Sequence, residues 1–225
     1  MLAVVSGGMD SFTMLCEMCE MVRRGEMDSD DLQVISFYYG QRHKRELKQA
    51  ERQCEWLEIP SWTLVDISEV GGLLTGSALT DDRVDVPHGH YEDDSMKATV
   101  VSNRNSIMLN IAAGIARSRG LDTIATAVHA GDHAVYPDCR PEFIESLQQT
   151  LRIAMDMPDF KVFAPYLNIS KADIATLGAV IGVPYHLSWS CYEGGEIHCG
   201  KCGTCVERKE AFSDSLVHDH TRYAD

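Results

Sequence analysis

Short apolar runs alternate with amphipathic stretches along most of the chain. The apolar runs lie at residues 2–5, 32–38, 62–66 and 122–128. Helical periodicity covers residues 11–24, 44–57, 103–119, 141–155 and 170–181. Strands that alternate with helices form parallel sheets covered on both faces. The pattern therefore predicts an α/β fold with an open parallel sheet and helices on both sides.

Three of the predicted helices carry details that a structure can check. In helix 103–119, the predicted core stripe is Ile107, Met108, Ile111, Ala112 and Ile115. In helix 141–155, the predicted inward residues are Phe143, Ile144, Leu147 and Leu151. Ser170 is predicted to cap the helix that follows it, and Asp173, three residues on, would complete a capping box.

Residues 67–101 lack clear periodicity and are rich in acidic residues, proline and glycine. The segment is long for a plain connection, which favours a role in covering a functional site or an interface. The alternative is a surface insertion with no such role.

A glycine-rich loop joins the first strand to the first helix: Ser6-Gly7-Gly8-Met9-Asp10-Ser11. Glycines let the backbone approach a ligand closely. The helix start offers unpaired N–H groups and the positive end of the helix dipole. Ser6 and Ser11 add hydroxyl donors, and Asp10 can hold Mg²⁺ or cap the helix. The loop therefore predicts a phosphate site, the alternative being a strand–helix turn without a ligand.

The Ser-Gly-Gly-x-Asp-Ser pattern resembles the PP-loop of the ATP pyrophosphatases. It matches neither Gly-x-x-x-x-Gly-Lys-Ser/Thr nor Gly-x-Gly-x-x-Gly. The resemblance implies an adenine-nucleotide hydrolase-like fold and cleavage of ATP between its α and β phosphates, with an oxygen of the second substrate activated as its adenylate.

Composition narrows the class of partners. The chain has 225 residues, is 44% hydrophobic and carries a formal net charge of -14. The acidic balance argues against a broad nucleic-acid surface, so no nucleic-acid partner is expected. No apolar run is long enough for a membrane span, and the first strand leaves no room for a signal peptide. We expect a cytoplasmic enzyme with no membrane partner.

Four of the eight cysteines cluster near the end of the chain: Cys191, Cys199, Cys202 and Cys205. Four thiolates in tetrahedral geometry make a closed structural Zn²⁺ site, one per chain, and a four-iron cluster is the competing ligand. His198, His218 and His220 are interpreted as surface residues because the cysteines already fill the site. The predicted division is a PP-loop ATP-binding domain at 1–186 and a four-cysteine zinc segment at 187–225, packed on the same domain.

Several stretches together resemble one PP-loop family, the 7-cyano-7-deazaguanine synthases. They are Tyr39-Gly40-Gln41-Arg42-His43, Arg104-Asn105, Tyr136 through Phe143 and Ser190-Cys191-Tyr192, besides the PP-loop itself. The resemblance runs from near residue 2 to near residue 212. This sequence departs from the family pattern at Val101-Ser102-Asn103, where a proline is usual, and at Tyr38, where aspartate is common. Its loop from Cys191 to Cys199 is also slightly short.

The resemblance implies a ligase that joins carbon to nitrogen. It converts 7-carboxy-7-deazaguanine and ammonia to 7-cyano-7-deazaguanine at the expense of ATP, through adenylated acid and amide intermediates. It implies a homodimer, Mg²⁺ bound with ATP, and a place in queuosine or archaeosine precursor synthesis. No fused glutaminase fits within this length, so ammonia comes free or from a separate protein.

Roles can be carried onto residues of this sequence. The predicted catalytic residues are Asp10, Ser11, His43 and Lys171. The predicted nucleotide-binding residues are Val5, Ser6, Gly7, Gly8, Met9, Asp10, Ser11, Gln41 and Lys171. The predicted substrate-binding residues are Arg104, Asp132, Tyr136, Asp138, Arg140 and Glu142. The alternatives are helix caps or ion pairs for the substrate group, a surface lysine at Lys171 and a structural histidine at His43.

Three other functions use the same loop. A PP-loop enzyme that adenylates a tRNA base for thiolation would need a basic surface and a catalytic cysteine pair. A zinc-stabilised nucleotide-binding module in a larger assembly would bind ATP without converting the base. An ammonia-dependent NAD synthetase would give no reason for the cysteine cluster.

Overall fold

Five parallel strands form one sheet in the computed structural model, which describes residues 1–91 and 93–224. The strands are β1 Leu2–Val4, β2 Gln33–Tyr38, β3 Trp62–Asp66, β4 Thr123–Ala125 and β5 Lys161–Phe163. They lie in the order β3-β2-β1-β4-β5, so the chain reverses its direction of winding between β1 and β4. Open α/β sheets bind ligands at such a switch point, outside the carboxyl ends of the strands.

Helices cover both faces of the sheet. They are α1 Met9–Arg23, α2 Arg45–Trp56, α3 Ser68–Gly71, α4 Arg104–Ser118, α5 Pro141–Ala154, α6 Lys171–Val180 and α7 Gly203–Asp214. Successive strand residues point to opposite faces, so Leu2 enters the core under α4 and α5, whereas Ala3 enters the core under α1, α2 and α6. The predicted α/β fold with an open parallel sheet is confirmed. No described helix is both long and apolar enough to cross a membrane.

The predicted α4 stripe is confirmed in part, because Ala112 is buried and Met108, Ile111 and Ile115 pack against the core. The fully buried residues of α4 are Leu109, Ala112, Ala113 and Ala116, while Ile107, Met108, Ile111 and Ile115 are only partly buried. Close approach of α4 to the sheet favours alanine on the inner face, so the larger residues lie at its flanks. In α5, Ile144, Leu147 and Leu151 are buried as predicted, and Phe143 is partly buried.

Helix α6 begins with the predicted cap. The Ser170 Oγ accepts the N–H of Asp173 at 3.1 Å, and the Asp173 carboxylate accepts the N–H of Ser170 at 2.9 Å. The reciprocal pair satisfies two N–H groups at the start of α6. It also fixes the position of Lys171, the first residue of that helix.

Candidate active site

A cavity lies at the switch point of the sheet. It encloses about 220 Å³, and its lining includes the loop that follows β1 and residues that follow β4. Tyr91, from the segment between α3 and α4, also lines it. Tyr91 thus brings part of the 67–101 segment to this cavity, and the covering role expected of the segment stays a prediction.

Gly7 fixes the shape of the loop that follows β1. Its φ is +95°, and a Cβ at this position would lie 2.0 Å from the carbonyl oxygen of Glu46 in α2. The Gly7 carbonyl oxygen accepts the N–H of Trp189 at 2.9 Å and the side-chain amide of Gln53 at 3.0 Å. Gly7 therefore holds the loop against α2 and lies outside the cavity lining, whereas Val5, Ser6, Gly8, Met9, Asp10 and Ser11 belong to it.

The start of α1 faces the cavity with unpaired N–H groups. Gly8 is the N-cap residue and no side chain caps the helix, so the first-turn donors lack an intrahelical partner. Around this end, the Ser6 Oγ accepts the N–H of Gly8 at 3.1 Å, and the Ser11 Oγ accepts the N–H of Ser6 at 3.2 Å. A helix start with these hydroxyls beside it is suited to hold an anion.

An ammonium group lies beside this anion site. Lys171 Nζ is 3.2 Å from Asp10 Oδ2 and donates to Glu207 Oε2 at 2.7 Å. Burial favours the neutral amine, but the charges of Asp10 and Glu207 outweigh it and raise the pKa of Lys171. Lys171 is therefore a partly buried cation beside the cavity and not a solvated surface lysine.

His129 joins this cluster from the segment that follows β4. It is 1% exposed, and its Nδ1 accepts the N–H of Gly131 at 3.1 Å. Its Nε2 faces Asp10 Oδ2 at 3.8 Å and Asp132 Oδ2 at 3.7 Å. Burial opposes ionisation of Asp132, but the nearby His129 and Lys171 lower the pKa of this carboxyl. Asp132 is therefore a partly buried carboxylate that lines the cavity.

The opposite end of the cavity is aromatic and carries a guanidinium. Arg104 donates from Nη1 to the Tyr39 hydroxyl at 3.1 Å, and its Cζ lies 5.9 Å from the ring centre of Tyr136. The Tyr136 hydroxyl is 2.7 Å from Thr99 Oγ1 and 3.3 Å from the Tyr192 hydroxyl. Burial raises the pKa of Tyr39 to about 12, so the phenol stays neutral and Arg104 keeps its positive charge available.

Five predicted site residues do not line the cavity: Gly7, described above, and the four that follow. Gln41 is buried, accepts the N–H of Tyr39 at 2.8 Å and donates to the Phe37 carbonyl at 3.1 Å, so it fixes the end of β2. Asp138 accepts the N–H of Asn105 at 2.8 Å and caps the start of α4. Arg140 donates to the His133 carbonyl at 2.9 Å. Glu142 is exposed on the first turn of α5.

The placements of Asp138, Arg140 and Glu142 share one cause. After Tyr136 the chain turns away from the cavity and enters α5, so polar residues close in sequence to Tyr136 face other surroundings. Within that stretch, only Tyr136 and Cys139 line the cavity. Burial raises the pKa of the Cys139 thiol, which disfavours a nucleophilic thiolate at this position.

Several residues of the site were missed by the sequence reasoning. They are Tyr39, Glu46, Tyr91, His129, Tyr192 and Glu207. His129 follows β4, and the rule that ligands bind beyond strand ends could have found it. Glu207 belongs to α7, which the sequence reasoning did not predict because its residues show little amphipathic order; its place beside Lys171 depends on tertiary packing.

The four clustered cysteines converge as predicted. Their sulfur atoms all lie within 4.8 Å of one another, and Cys199 Sγ is 4.0 Å from Cys205 Sγ. A tetrahedron with metal–sulfur arms of about 2.3 Å has edges of about 3.8 Å, so the group fits a single metal ion. The thiols of Cys191 and Cys205 lower the pKa of Cys202 by hydrogen bonding, which favours a thiolate ligand.

The backbone around the cysteines supports the same assignment. The N–H groups of Cys202 and Lys201 donate to Cys199 Sγ at 3.2 and 3.4 Å, and the N–H of Cys199 donates to Cys191 Sγ at 3.3 Å. Such donors stabilise negative charge on coordinated sulfur. His218 and His220 are exposed as expected, but His198 is buried against Trp189, and burial lowers its pKa to about 4.

Comparisons of the sequence with known proteins lead to one family. The family described as "Queuosine biosynthesis protein QueC" matches residues 1–216. A relative from Brucella anthropi, named 7-cyano-7-deazaguanine synthase, is 50% identical over 225 residues, which cover 100% of this chain and 93% of that protein. A relative of the same name from Allorhizobium ampelinum is 49% identical and is covered to 92%.

Among solved structures, one similar chain is the U34-tRNA thiolase NcsA from Methanococcus maripaludis with its [4Fe-4S] cluster. It has 14% sequence identity and a TM-score of 0.46, and the alignment covers 95% of this chain and 65% of that one.

Proposed function

The chain belongs to the QueC family of queuosine biosynthesis proteins, and we propose that it is an ATP-dependent ligase that converts 7-carboxy-7-deazaguanine and ammonia to 7-cyano-7-deazaguanine. The observation that carries the proposal is the two-ended cavity. One end offers the uncapped start of α1 and Lys171, and the other offers Arg104 between Tyr39 and Tyr136. A polyphosphate suits the first end, and a flat base that bears a carboxylate suits the second.

The chemistry explains why ATP is needed twice. The conversion of an acid to an amide and then to a nitrile involves no change of oxidation state, but each step removes an oxygen that leaves poorly until it is activated. In the first half, a carboxylate oxygen of the substrate attacks the α-phosphorus of ATP and pyrophosphate leaves. Ammonia then adds to the carbonyl carbon, loses a proton, and the C–O bond breaks with release of AMP, leaving the amide.

The second half activates the oxygen that remains. The amide oxygen attacks the α-phosphorus of a second ATP and pyrophosphate leaves again. The nitrogen of the adenylated amide gives up its two protons, and the C–O bond breaks with its electron pair on the AMP oxygen. The carbon–nitrogen triple bond forms as AMP leaves.

The phosphate end supplies the electrostatics of both adenylations. The N–H groups at the start of α1 and the Ser6 and Ser11 hydroxyls bind phosphate oxygens, and Lys171 compensates the charge that develops on pyrophosphate. Asp10 Oδ1 is buried and has no hydrogen-bond partner among the described residues, so Asp10 is the residue suited to hold Mg²⁺. When bound, Mg²⁺ would neutralise charge on the polyphosphate.

The aromatic end is proposed to recognise the base. The guanidinium of Arg104 pairs with the substrate carboxylate, and Tyr136 stacks on the ring. A deazaguanine presents an N–H and an amino group on one edge, which a carboxylate accepts in bidentate fashion. Asp132 is ionised and lines the cavity, and it accepts from the Tyr91 hydroxyl at 3.1 Å, whose ring centre lies 6.3 Å from that of Tyr136. Asp132 therefore replaces Asp138 and Glu142 as the residue proposed for this edge.

The cysteine group is proposed to hold one Zn²⁺ with a structural role. The short sulfur–sulfur distances support a single ion, because the irons of a cubane cluster would stand between the ligands and hold them farther apart. Four thiolates leave no open position, so Zn²⁺ would stabilise the fold around α7 without binding substrate.

Further proposals concern organisation and supply. We propose the division into residues 1–186 and 187–225, with the second part packed on the first through the Trp189–Gly7 and Glu207–Lys171 contacts. We also propose free ammonia, or ammonia from a separate protein, as the nitrogen source, and a homodimer, which light scattering after size-exclusion chromatography would test.

The test of the proposed function is mass spectrometry of products from the pure protein. With ATP, ammonium and 7-carboxy-7-deazaguanine, the amide and then the nitrile should appear. Asp10→Ala and Ser11→Ala should abolish nucleotide turnover and keep the metal content, because neither residue touches the cysteine group. Release of ADP and phosphate in place of AMP and pyrophosphate would exclude the proposal.

A further inference from the structure

His43 is a buried histidine in the cavity wall with an unused nitrogen. It is 2% exposed and lines the cavity, and its Nδ1 has no hydrogen-bond partner among the described residues. An unpaired buried nitrogen costs about 1–3 kcal/mol, so its presence needs an explanation. A nitrogen that meets its partner only when substrate fills the cavity supplies one.

The other ring nitrogen faces a carboxylate that is itself held in place. His43 Nε2 is 3.4 Å from Glu46 Oε1 in the first turn of α2. The same oxygen accepts the side-chain amide of Gln41 at 3.0 Å. Gln41 is fully buried and fixed at the end of β2 by its bonds to Tyr39 and Phe37. Strand β2 thus fixes Gln41, and Gln41 fixes the carboxylate that faces His43.

The chain also holds the imidazole from its other side. The ring of Tyr192 lies 5.2 Å from it, measured between ring centres. The backbone at Gly194 approaches so closely that a Cβ there would lie 3.2 Å from the His43 Cα. The imidazole is therefore held between α2 and the cysteine segment.

These contacts decide which nitrogen carries the proton. A carboxylate only accepts hydrogen bonds, so the Nε2 that faces Glu46 bears the hydrogen in a neutral imidazole. The lone pair then lies on Nδ1. We infer that Glu46 is a positioning residue that holds His43 in this tautomer, so that Nδ1 takes protons from the reacting nitrogen of the substrate.

The inference rests on the proposed function, whose proton balance calls for such a group. Ammonia brings three N–H bonds, and the nitrile nitrogen keeps none. One proton leaves when ammonia has added to the acyl adenylate, and two leave when the adenylated amide collapses to the nitrile and AMP. His43 Nδ1 accepts each proton in turn and returns it to solvent before the next transfer. Neither adenylation step needs this base, because a carboxylate or amide oxygen attacks ATP directly.

The decisive variant is Glu46→Met, with Glu51→Met as its matched control on the exposed face of α2. Methionine keeps about the same length but cannot accept the Nε2 hydrogen, so the imidazole is no longer held in one tautomer. We expect amide and nitrile formation to slow by about 10–10²-fold, part of the 10²–10⁴-fold that a general base contributes. Exchange of labelled pyrophosphate into ATP in the presence of 7-carboxy-7-deazaguanine should stay within about threefold of wild type.

A second measurement reads the tautomer without turnover. ¹⁵N chemical shifts of His43, assigned with His43→Asn, should report Nε2–H in the wild type and in Glu51→Met, and a mixture of the two tautomers in Glu46→Met. External imidazole should restore part of the amide and nitrile formation in His43→Gly.

Three outcomes would overturn the inference. They are an Nδ1–H tautomer in the wild type, an equal loss of pyrophosphate exchange and nitrile formation in Glu46→Met, and unchanged nitrile formation in His43→Asn, which would make Glu46 itself the base. Failure of the proposed function is separate, because a wild type that forms no amide or nitrile would exclude that function whichever tautomer is found.

Discussion

The backbone N–H of Trp189 donates to the carbonyl oxygen of Gly7 at 2.9 Å, so the segment that carries the four cysteines is bonded directly to the phosphate loop. A second link joins the same two regions, because Glu207 in α7 accepts from Lys171 in α6. These two hydrogen bonds connect the four-cysteine group to the loop after β1 and to Lys171, although no cysteine of the group lines the cavity.

Removal of the metal should weaken nucleotide binding. Cys202→Ser should loosen the start of α7 and weaken the Trp189–Gly7 and Lys171–Glu207 hydrogen bonds. Loss of such a bond costs about 1–3 kcal/mol when it leaves a charged or buried group unpaired. We expect ATP affinity to fall by about 10–100-fold and the melting temperature to fall as well. Calorimetry and elemental analysis of bound zinc check this. Cys139→Ser, outside the metal group, should keep the full zinc content, and unchanged ATP affinity in zinc-free Cys202→Ser would contradict the link.

Gly7→Ala should be far more damaging than Gly25→Ala. Both glycines have a positive φ, but a Cβ at Gly7 would meet the Glu46 carbonyl, while a Cβ at Gly25 meets nothing within 4 Å. Backbone strain alone costs about 1 kcal/mol at either position. The added clash at Gly7 should raise the loss of unfolding free energy to several kcal/mol, measured by urea denaturation. Equal losses for the two variants would contradict the packing of the loop against α2.

Lys171→Met should impair adenylation. The substitution removes the partly buried cation and leaves Asp10 and Glu207 unpaired beside the phosphate site. Loss of such a charge stabiliser costs about 10²–10³-fold in kcat. Pyrophosphate exchange into ATP measures this step, and Lys161→Met on the exposed end of β5 serves as control. A normal exchange rate in Lys171→Met would remove Lys171 from the catalytic group.

The buried pair of Arg208 and Asp219 should control stability at low pH. Burial opposes ionisation of Asp219, but the hydrogen bonds and charge of Arg208 lower its pKa to about 2. The pKa of an aspartate in the unfolded chain is about 3.9. The stabilisation that ionised Asp219 contributes is therefore complete above pH of about 4 and is lost as the pH falls toward 2.

The matching variant is Asp219→Asn, which leaves the fully buried Arg208 charge unpaired. We expect a loss of about 3–5 kcal/mol of unfolding free energy at neutral pH. Asp214→Asn, at an exposed position of α7, should change it by less than about 0.5 kcal/mol. A loss for Asp219→Asn that persisted unchanged at pH of about 2 would contradict the assignment of the pair.

The sequence predicted the parts of the fold that local pattern determines. Strand β3 was predicted at its observed bounds, and the Ser170–Asp173 cap and the phosphate loop were placed correctly, because each depends on neighbouring residues. Strand β5 was missed because it has three residues and two of them are exposed. Helix α7 was missed because buried charges such as Arg208 interrupt its apolar face.

The site was predictable only where it follows a strand or resembles a known motif. Lys171 and Arg104 lie at helix starts and reach the cavity as expected. Asp138 and Arg140 are close in sequence to Tyr136, but a helix begins there and turns them away. Glu46 and Glu207 enter the site from helices whose orientation depends on packing across the whole domain, which no local pattern encodes.

The central claim is that ATP is split between its α and β phosphates twice for each nitrile formed. The most direct measurement follows AMP, pyrophosphate and 7-cyano-7-deazaguanine together during turnover of the pure protein with ammonium. The account predicts two AMP and two pyrophosphate per nitrile. The amide should appear as a transient whose formation releases the first AMP and the first pyrophosphate. One AMP per nitrile, or ADP and phosphate as the nucleotide products, would contradict it.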